Sequence, residues 1–197
     1  MPGRRRRLLM GGLVVAGLGA CAGTSPPVQL YQLRSQAPVA VSPRPPSPWN
    51  WQLMLPVRVP DYLDREPILL PQGRSGLLAL SGQRWAESLR DSVPRVLRQD
   101  LATLLGADRV WTAPLPTGVR IDRQLRVELL HLGADADRRG VTLEARWSLV
   151  DPSSAQPPRA DVIRVTVDSE GPDVDQLVAA HRLALWRLAE ALVREAR

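Results

Sequence analysis

The 197-residue chain has no lysine and no phenylalanine, a single cysteine, Cys21, and two histidines, His131 and His181. Without lysine there is no Schiff-base amine and no lysine-type phosphate loop. A zinc site would need both histidines plus carboxylates, and their spacing offers no ligand pattern. No G-x-S-x-G elbow occurs; Gly73-Arg74-Ser75-Gly76 is not one. The apolar run Leu8–Leu18 is about half of the roughly 20 residues a membrane-crossing helix needs. The formal charge is +6, carried by arginine alone, and Arg4–Arg7 supply four of it, so the chain without them is at +2. All-arginine basicity reads as codon bias in a GC-rich genome rather than phosphate binding. A nucleic-acid partner is not expected.

What is present begins at the amino terminus. Arg4–Arg7, the apolar run and then Leu18-Gly19-Ala20-Cys21 follow the order of a secretory signal: positive region, apolar core, small-residue cut site. A plain secretory signal ending at Gly19-Ala20 is one reading. A buried core segment is another, but it fits poorly between four arginines and a proline-rich stretch. The third reading accounts for the one cysteine. Leu18, Gly19, Ala20 and Cys21 resemble the lipobox of bacterial lipoproteins. That resemblance implies a signal peptide over 1–20, a diacylglycerol on the Cys21 thiol and an N-acyl chain on its new amino terminus, with no other cofactor. Several acyl chains hold a membrane far longer than one, at about 0.8 kcal/mol per buried CH2. Ala22, where aspartate would favour the inner membrane, implies an outer-membrane anchor facing the periplasm. With Cys21 lipidated, disulfides, cysteine metal ligands and cysteine nucleophiles drop out together.

Residues 21–48 are expected to be the lipidated terminus and a tether. Seven of the 27 residues from Ala22 to Pro48 are proline, which favours extended, solvated chain spanning about 30 Å. Within it, Val28–Leu33 has strand character or is only a less proline-rich piece of linker.

The domain is expected over 49–197. Trp51, Leu53, Leu55, Val57 and Val59 alternate with polar positions, a half-buried strand that Pro56 and Pro60 confine to an edge or cut short. That edge could pair with another copy or a partner, with Gln52 pointing outward. Pro67–Pro71 and Gly76–Ser81 predict a short hairpin. A helix over about 87–105 ends at Gly106. Pro94 either lies in the second turn of a helix starting at Ser88, or in the first turn of a shorter one capped by Asp91 or Ser92. Arg109–Trp111 is a short strand. Three alternating runs, Leu125–His131, Val141–Leu149 and Ile163–Val167, predict an antiparallel meander. A second helix over about 173–196 carries the stripe Leu177, Ala180, His181, Ala184, Leu185, Leu188, Ala189 and Leu192, with Asp173 and Gln176 approximating a capping box. The fold class is therefore α/β, a single domain with one mixed, largely antiparallel sheet and two main helices.

Taken in order, Tyr31-Gln32-Leu33, the turn Val59-Pro60-Asp61-Tyr62-Leu63, Trp85 and Leu89 before Leu104-Leu105-Gly106, and Glu144-Ala145-Arg146-Trp147 resemble the ABC-type transport auxiliary lipoproteins, the PqiC or YmbA family, over about Tyr31 to Arg194. The resemblance implies a non-enzymatic part of an envelope lipid-transport system. Its partners would be a periplasm-spanning MCE-domain protein and the associated inner-membrane transporter. A ring-like homo-oligomer would suit a collar at the end of such a tube. Two other classes stay open: a structural or assembly lipoprotein without lipid traffic, and a periplasmic hydrolase. Against the hydrolase, His181 lies on an apolar stripe and His131 at the end of a strand face, both positions of core or rim histidines. Glu128 and Glu144 are more simply cross-strand partners of arginines. The Val59–Leu63 turn is either fold-defining or a partner contact.

Overall fold

Two strand systems share one core, and the chain enters both of them before its first helix. The structure, a computed structural model, describes residues 27–195. The expected signal peptide and the lipobox residues Leu18, Gly19, Ala20 and Cys21 lie outside those residues.

The elements run β1 (Gln29–Tyr31), β2 (Trp51–Leu53), β3 (Pro67–Gln72), β4 (Gly76–Trp85), α1 (Leu89–Leu105), β5 (Val110–Trp111), β6 (Arg123–Ala134), β7 (Gly140–Val150), β8 (Arg159–Asp168) and α2 (Val174–Glu195). This is the α/β single domain with two helices that the patterns imply. The strands, however, divide between two sheets rather than forming one: β1-β4-β3 and β5-β2-β6-β7-β8. The reason is geometric. Both sides of β2 are taken, by β5 and β6 in parallel register. The β3–β4 hairpin has no free edge there and pairs instead with β1, which runs parallel to β4.

The same arrangement corrects the reading of the first strand. β2 stops at Leu53 and is interior, not an exposed edge. Gln52 is only 7% exposed, and its Oε1 accepts a 3.1 Å hydrogen bond from Gln124 Nε2. Leu55 turns out to solvent because the chain leaves the sheet after Leu53, and Val57 and Val59 are buried where it rejoins β6 through Arg58, whose carbonyl accepts from Leu129 N at 2.8 Å.

The meander forms as expected, with β6, β7 and β8 antiparallel. Its hidden irregularity is a shift in register between Leu129 and His131. One extra residue reverses the alternation, so Leu132 and Ala134 point into the core and His131 is exposed. Arg146 Nη1 reaches Glu128 Oε2 at 3.2 Å, a cross-strand pair.

The first of the two helix alternatives is realised. Ser88 is the N-cap, its Oγ accepting from Arg90 N at 3.0 Å, and α1 runs through Pro94 in its second turn. Gly106 ends it with φ of 114°, its N–H donating to Ala102 O at 2.9 Å. A side chain at 106 would also meet the Pro46 ring at 3.1 Å, so glycine serves both the cap and the close passage of the N-terminal segment. In α2 the whole expected stripe is buried, together with Trp186 and, unexpectedly, Arg182. The Asp173 carbonyl accepts the first helical hydrogen bond, from Leu177 N at 2.9 Å.

The segment expected as tether is part of this body from Gln29 onward. Leu33 is 1% exposed, Ala37, Val39 and Val41 pack on the core, and Ser47 N donates to Leu105 O at 2.6 Å. The carbonyls of the proline-free stretch 28–37 need partners once it packs on the core. An arginine from α2 supplies them. Arg182 Nε donates to Arg34 O at 2.6 Å and Nη2 to Gln36 O at 3.1 Å. The same guanidinium grips Asp100 of α1 in a bidentate pair, Nη1–Oδ2 2.8 Å and Nη2–Oδ1 2.5 Å. Burial pushes the Asp100 carboxyl up to about 6 against the lowering pull of Arg182.

Candidate functional site

The Val59–Leu63 turn defines the fold through all but one of its residues. Val59 and Leu63 are buried in the core. Leu63 N donates to Pro60 O at 2.9 Å, closing the turn. The Asp61 carboxylate bonds Arg90 Nη2 at 3.1 Å rather than its own backbone. Asp64, just beyond, accepts from Ser88 Oγ at 2.5 Å and Arg90 Nε at 2.9 Å; these bonds, the Ser88 one foremost, hold its carboxyl below the usual range. The turn is thus fastened to the first turn of α1, where carboxylates also meet the positive end of the helix.

Tyr62 is left over. Its ring is 39% exposed and its hydroxyl lies 3.3 Å from His131 Nδ1. Partial burial raises its phenol above the ordinary value of 10.0, so it stays protonated. Tyr62 forms one wall of an apolar cleft. The hairpin residues Leu69, Pro71 and Leu77, the end of β6, and the buried Trp85 and His181 line the rest of it. The bulge in β6 matters here, because it turns His131 toward Tyr62 instead of into the core.

His181 meets Trp85 edge-on, with centroids 5.6 Å apart at 74°. Its Nδ1–H donates to Leu177 O at 2.8 Å. Desolvation, the largest cause, lowers its pKa to about 4, so the ring is neutral near pH 7 and serves as a core residue, as its place on the stripe implies. The polar side chains of the lining are Tyr62, Trp85 and the two histidines, without a carboxylate, serine or arginine. Among the described residues no group of three or more His, Cys, Asp or Glu is placed to hold a metal. What the cleft can do is bind something apolar. Its volume is about 70 Å³, less than half of the roughly 150 Å³ cavity that takes up one benzene. That suits one aliphatic side chain rather than an acyl chain. Leu77 of this lining and its neighbour Leu78 are 49% and 45% exposed.

Of the sequence candidates, the structure brings Tyr62 and His131 together at the mouth, with His181 beneath them. It sends Val59 and Leu63 to the core and Asp61 to α1. Leu69, Leu77 and Trp85 were not foreseen as a site. The only available signal was a hairpin apolar at consecutive positions, Ile68-Leu69-Leu70 and Leu77-Leu78-Ala79, which leaves leucine on both of its faces.

A family model described as the ABC-type transport auxiliary lipoprotein component matches residues 31–193. It begins inside β1, in agreement with the packing of the N-terminal segment on the domain. The crystal structure of an uncharacterized protein superposes with a TM-score of 0.68 at 17% identity, covering 87% of this chain and 99% of that one. A protein from Xanthomonas campestris superposes with a TM-score of 0.62 at 20% identity, covering 84% and 92%. At these identities the two structures show the fold. No curated protein matches the chain.

Proposed function

Because the chain belongs to the ABC-type transport auxiliary lipoprotein component family, we propose that it is the docking subunit through which an envelope lipid-transport assembly is held at the outer membrane. The family is an auxiliary one rather than an enzyme family, its name associates it with an ABC transport system, and lipoproteins of this kind belong to the cell envelope. In the proposed arrangement Cys21 carries the diacylglycerol and the N-acyl chain. Seven residues, 22–28, then separate it from β1, a reach of about 25 Å when extended. The domain therefore works close to the bilayer. The partner is a periplasm-spanning MCE-domain protein, joined to its inner-membrane transporter. A homo-oligomeric collar would place several copies around its end.

The observation that carries this reading is the cleft beside the exposed Leu77–Leu78 hairpin. It offers an apolar contact sized for a side chain. Exposed apolar surface of this kind marks interaction sites. The test is crosslinking in native membranes followed by purification of the full-length lipoprotein. The MCE-domain protein is expected to copurify, and Leu77→Asp together with Leu78→Asp is expected to reduce its recovery while the lipoprotein stays folded and abundant. Failure to recover any MCE-domain protein, crosslinked or not, returns the assignment to a structural lipoprotein without lipid traffic.

A further inference from the structure

A second surface shares no lining residue with the cleft. β8 is the last strand of the five-stranded sheet, ten residues long, and among the described residues no strand pairs with its outer edge. An edge of that length presents a row of unused backbone donors and acceptors. α2 runs alongside it and leaves a groove of about 640 Å³ between helix and strand, within the range of about 300–1,000 Å³ common for binding pockets. The floor is apolar: Ile163 and Val165 of β8 and Leu183 of α2 are partly buried against the core. The rim is basic. Arg164, Arg187 and Arg194 line it; Glu190 bonds Arg187 at 2.8 Å and Glu195 lies 3.6 Å from Arg194, which leaves Arg164 as the rim arginine with no ion pair within 4 Å among the described residues. The Arg187 and Arg194 side chains are 51% and 72% exposed.

We infer that this groove takes up an extended, acidic segment of a partner protein as a sixth strand beside β8. Backbone hydrogen bonding to the edge would supply affinity. Alternate side chains would point in toward Ile163, Val165 and Leu183, and the others out past Arg164. The charge pattern selects this occupant over a second copy. Two β8 strands paired about a two-fold axis through position 164 would set Arg164 opposite its own copy, and like charges at close cross-strand positions destabilise a pair. An acidic segment meets the three arginines with the opposite sign, and its binding weakens as salt rises.

The test uses the full-length protein in detergent. The probes are fluorescein-labelled, acetylated peptides alternating valine with glutamate, the same pattern with arginine, and the glutamate peptide N-methylated at alternate residues. The glutamate peptide is expected to bind at least about tenfold more tightly than the arginine peptide. It should also slow amide exchange over 159–168, and N-methylation should abolish both effects. Arg187→Glu with Arg194→Glu, both exposed and outside the core, should reverse the preference between the charged peptides. Equal affinity for the charged peptides, unchanged exchange in β8, undiminished binding of the N-methylated peptide, or self-association through β8 that excludes the probes would each overturn the inference.

Discussion

Replacing Arg182 by methionine tests how the N-terminal segment is held. Asp100 is 0% exposed and Arg182 is 5% exposed. Loss of the guanidinium leaves the Asp100 carboxylate buried without its bidentate partner, which costs about 3–5 kcal/mol. The carbonyls of Arg34 and Gln36 lose charged donors as well, but they can turn to water if the segment loosens, so their share is smaller. Against a total stability of about 5–15 kcal/mol for a domain, the variant should fold with little margin. The effect has a pH signature. The Asp100 carboxyl is raised from 3.8 to about 6. A raised acid is protonated in the folded state first, so its contribution to stability is greatest below 3.8 and falls as pH rises through about 6. Without Arg182 nothing draws the carboxyl back down, and this loss grows. The deficit of Arg182→Met should therefore be largest near pH 8 and clearly smaller near pH 5. Urea unfolding followed by tryptophan fluorescence measures it, and hydrogen exchange over residues 29–38 shows whether the segment is released. Adding Asp100→Leu to Arg182→Met should restore much of the stability, since apolar replacement of both partners is often neutral. A deficit independent of pH, or a segment that stays protected in the single variant, refutes the account.

Cys21→Ser should leave unprocessed, unacylated precursor; a mature amino terminus in the parent that is free and not cysteine, seen by mass spectrometry, contradicts the lipobox. Leu33→Ala should destabilise the whole domain by about 2–5 kcal/mol, because this residue is core and not tether; an unchanged urea midpoint would say otherwise. Gln52→Lys should lower stability by about 1–3 kcal/mol by stranding Gln124, detected as a fall in thermal midpoint. His181→Gln should resist acid better than the parent. The histidine is depressed from 6.5 to about 4, so the parent loses stability as pH falls through that window while glutamine does not titrate. Paired unfolding curves at pH 7 and 5 decide it. His131→Ala with His181→Ala should alter stability at most, with envelope function retained at matched expression; loss of function in a folded, abundant variant would revive the hydrolase class.

The local patterns were legible in the chain itself. The hairpin, the meander and both helices are written in spacing that depends only on near neighbours: period two in β6 to β8, a period near 3.6 in α1 and α2, and glycine at 106. The order of those elements also carried the family resemblance. Everything that required two distant segments to meet was decided by tertiary structure. Whether β2 was an edge depended on β5 and β6 arriving on both of its sides. Whether the stretch before Pro38 packed depended on Arg182, about 150 positions away in sequence, satisfying the carbonyls of Arg34 and Gln36. The direction of His131 depended on a one-residue bulge that leaves no mark on composition. The cleft needed Tyr62, Leu77 and His181 to converge from a turn, a hairpin and a helix. Side-chain periodicity records which face of an element is buried; it holds no record of what buries it, because that is set by long-range packing and by the hydrogen bonds buried groups must find.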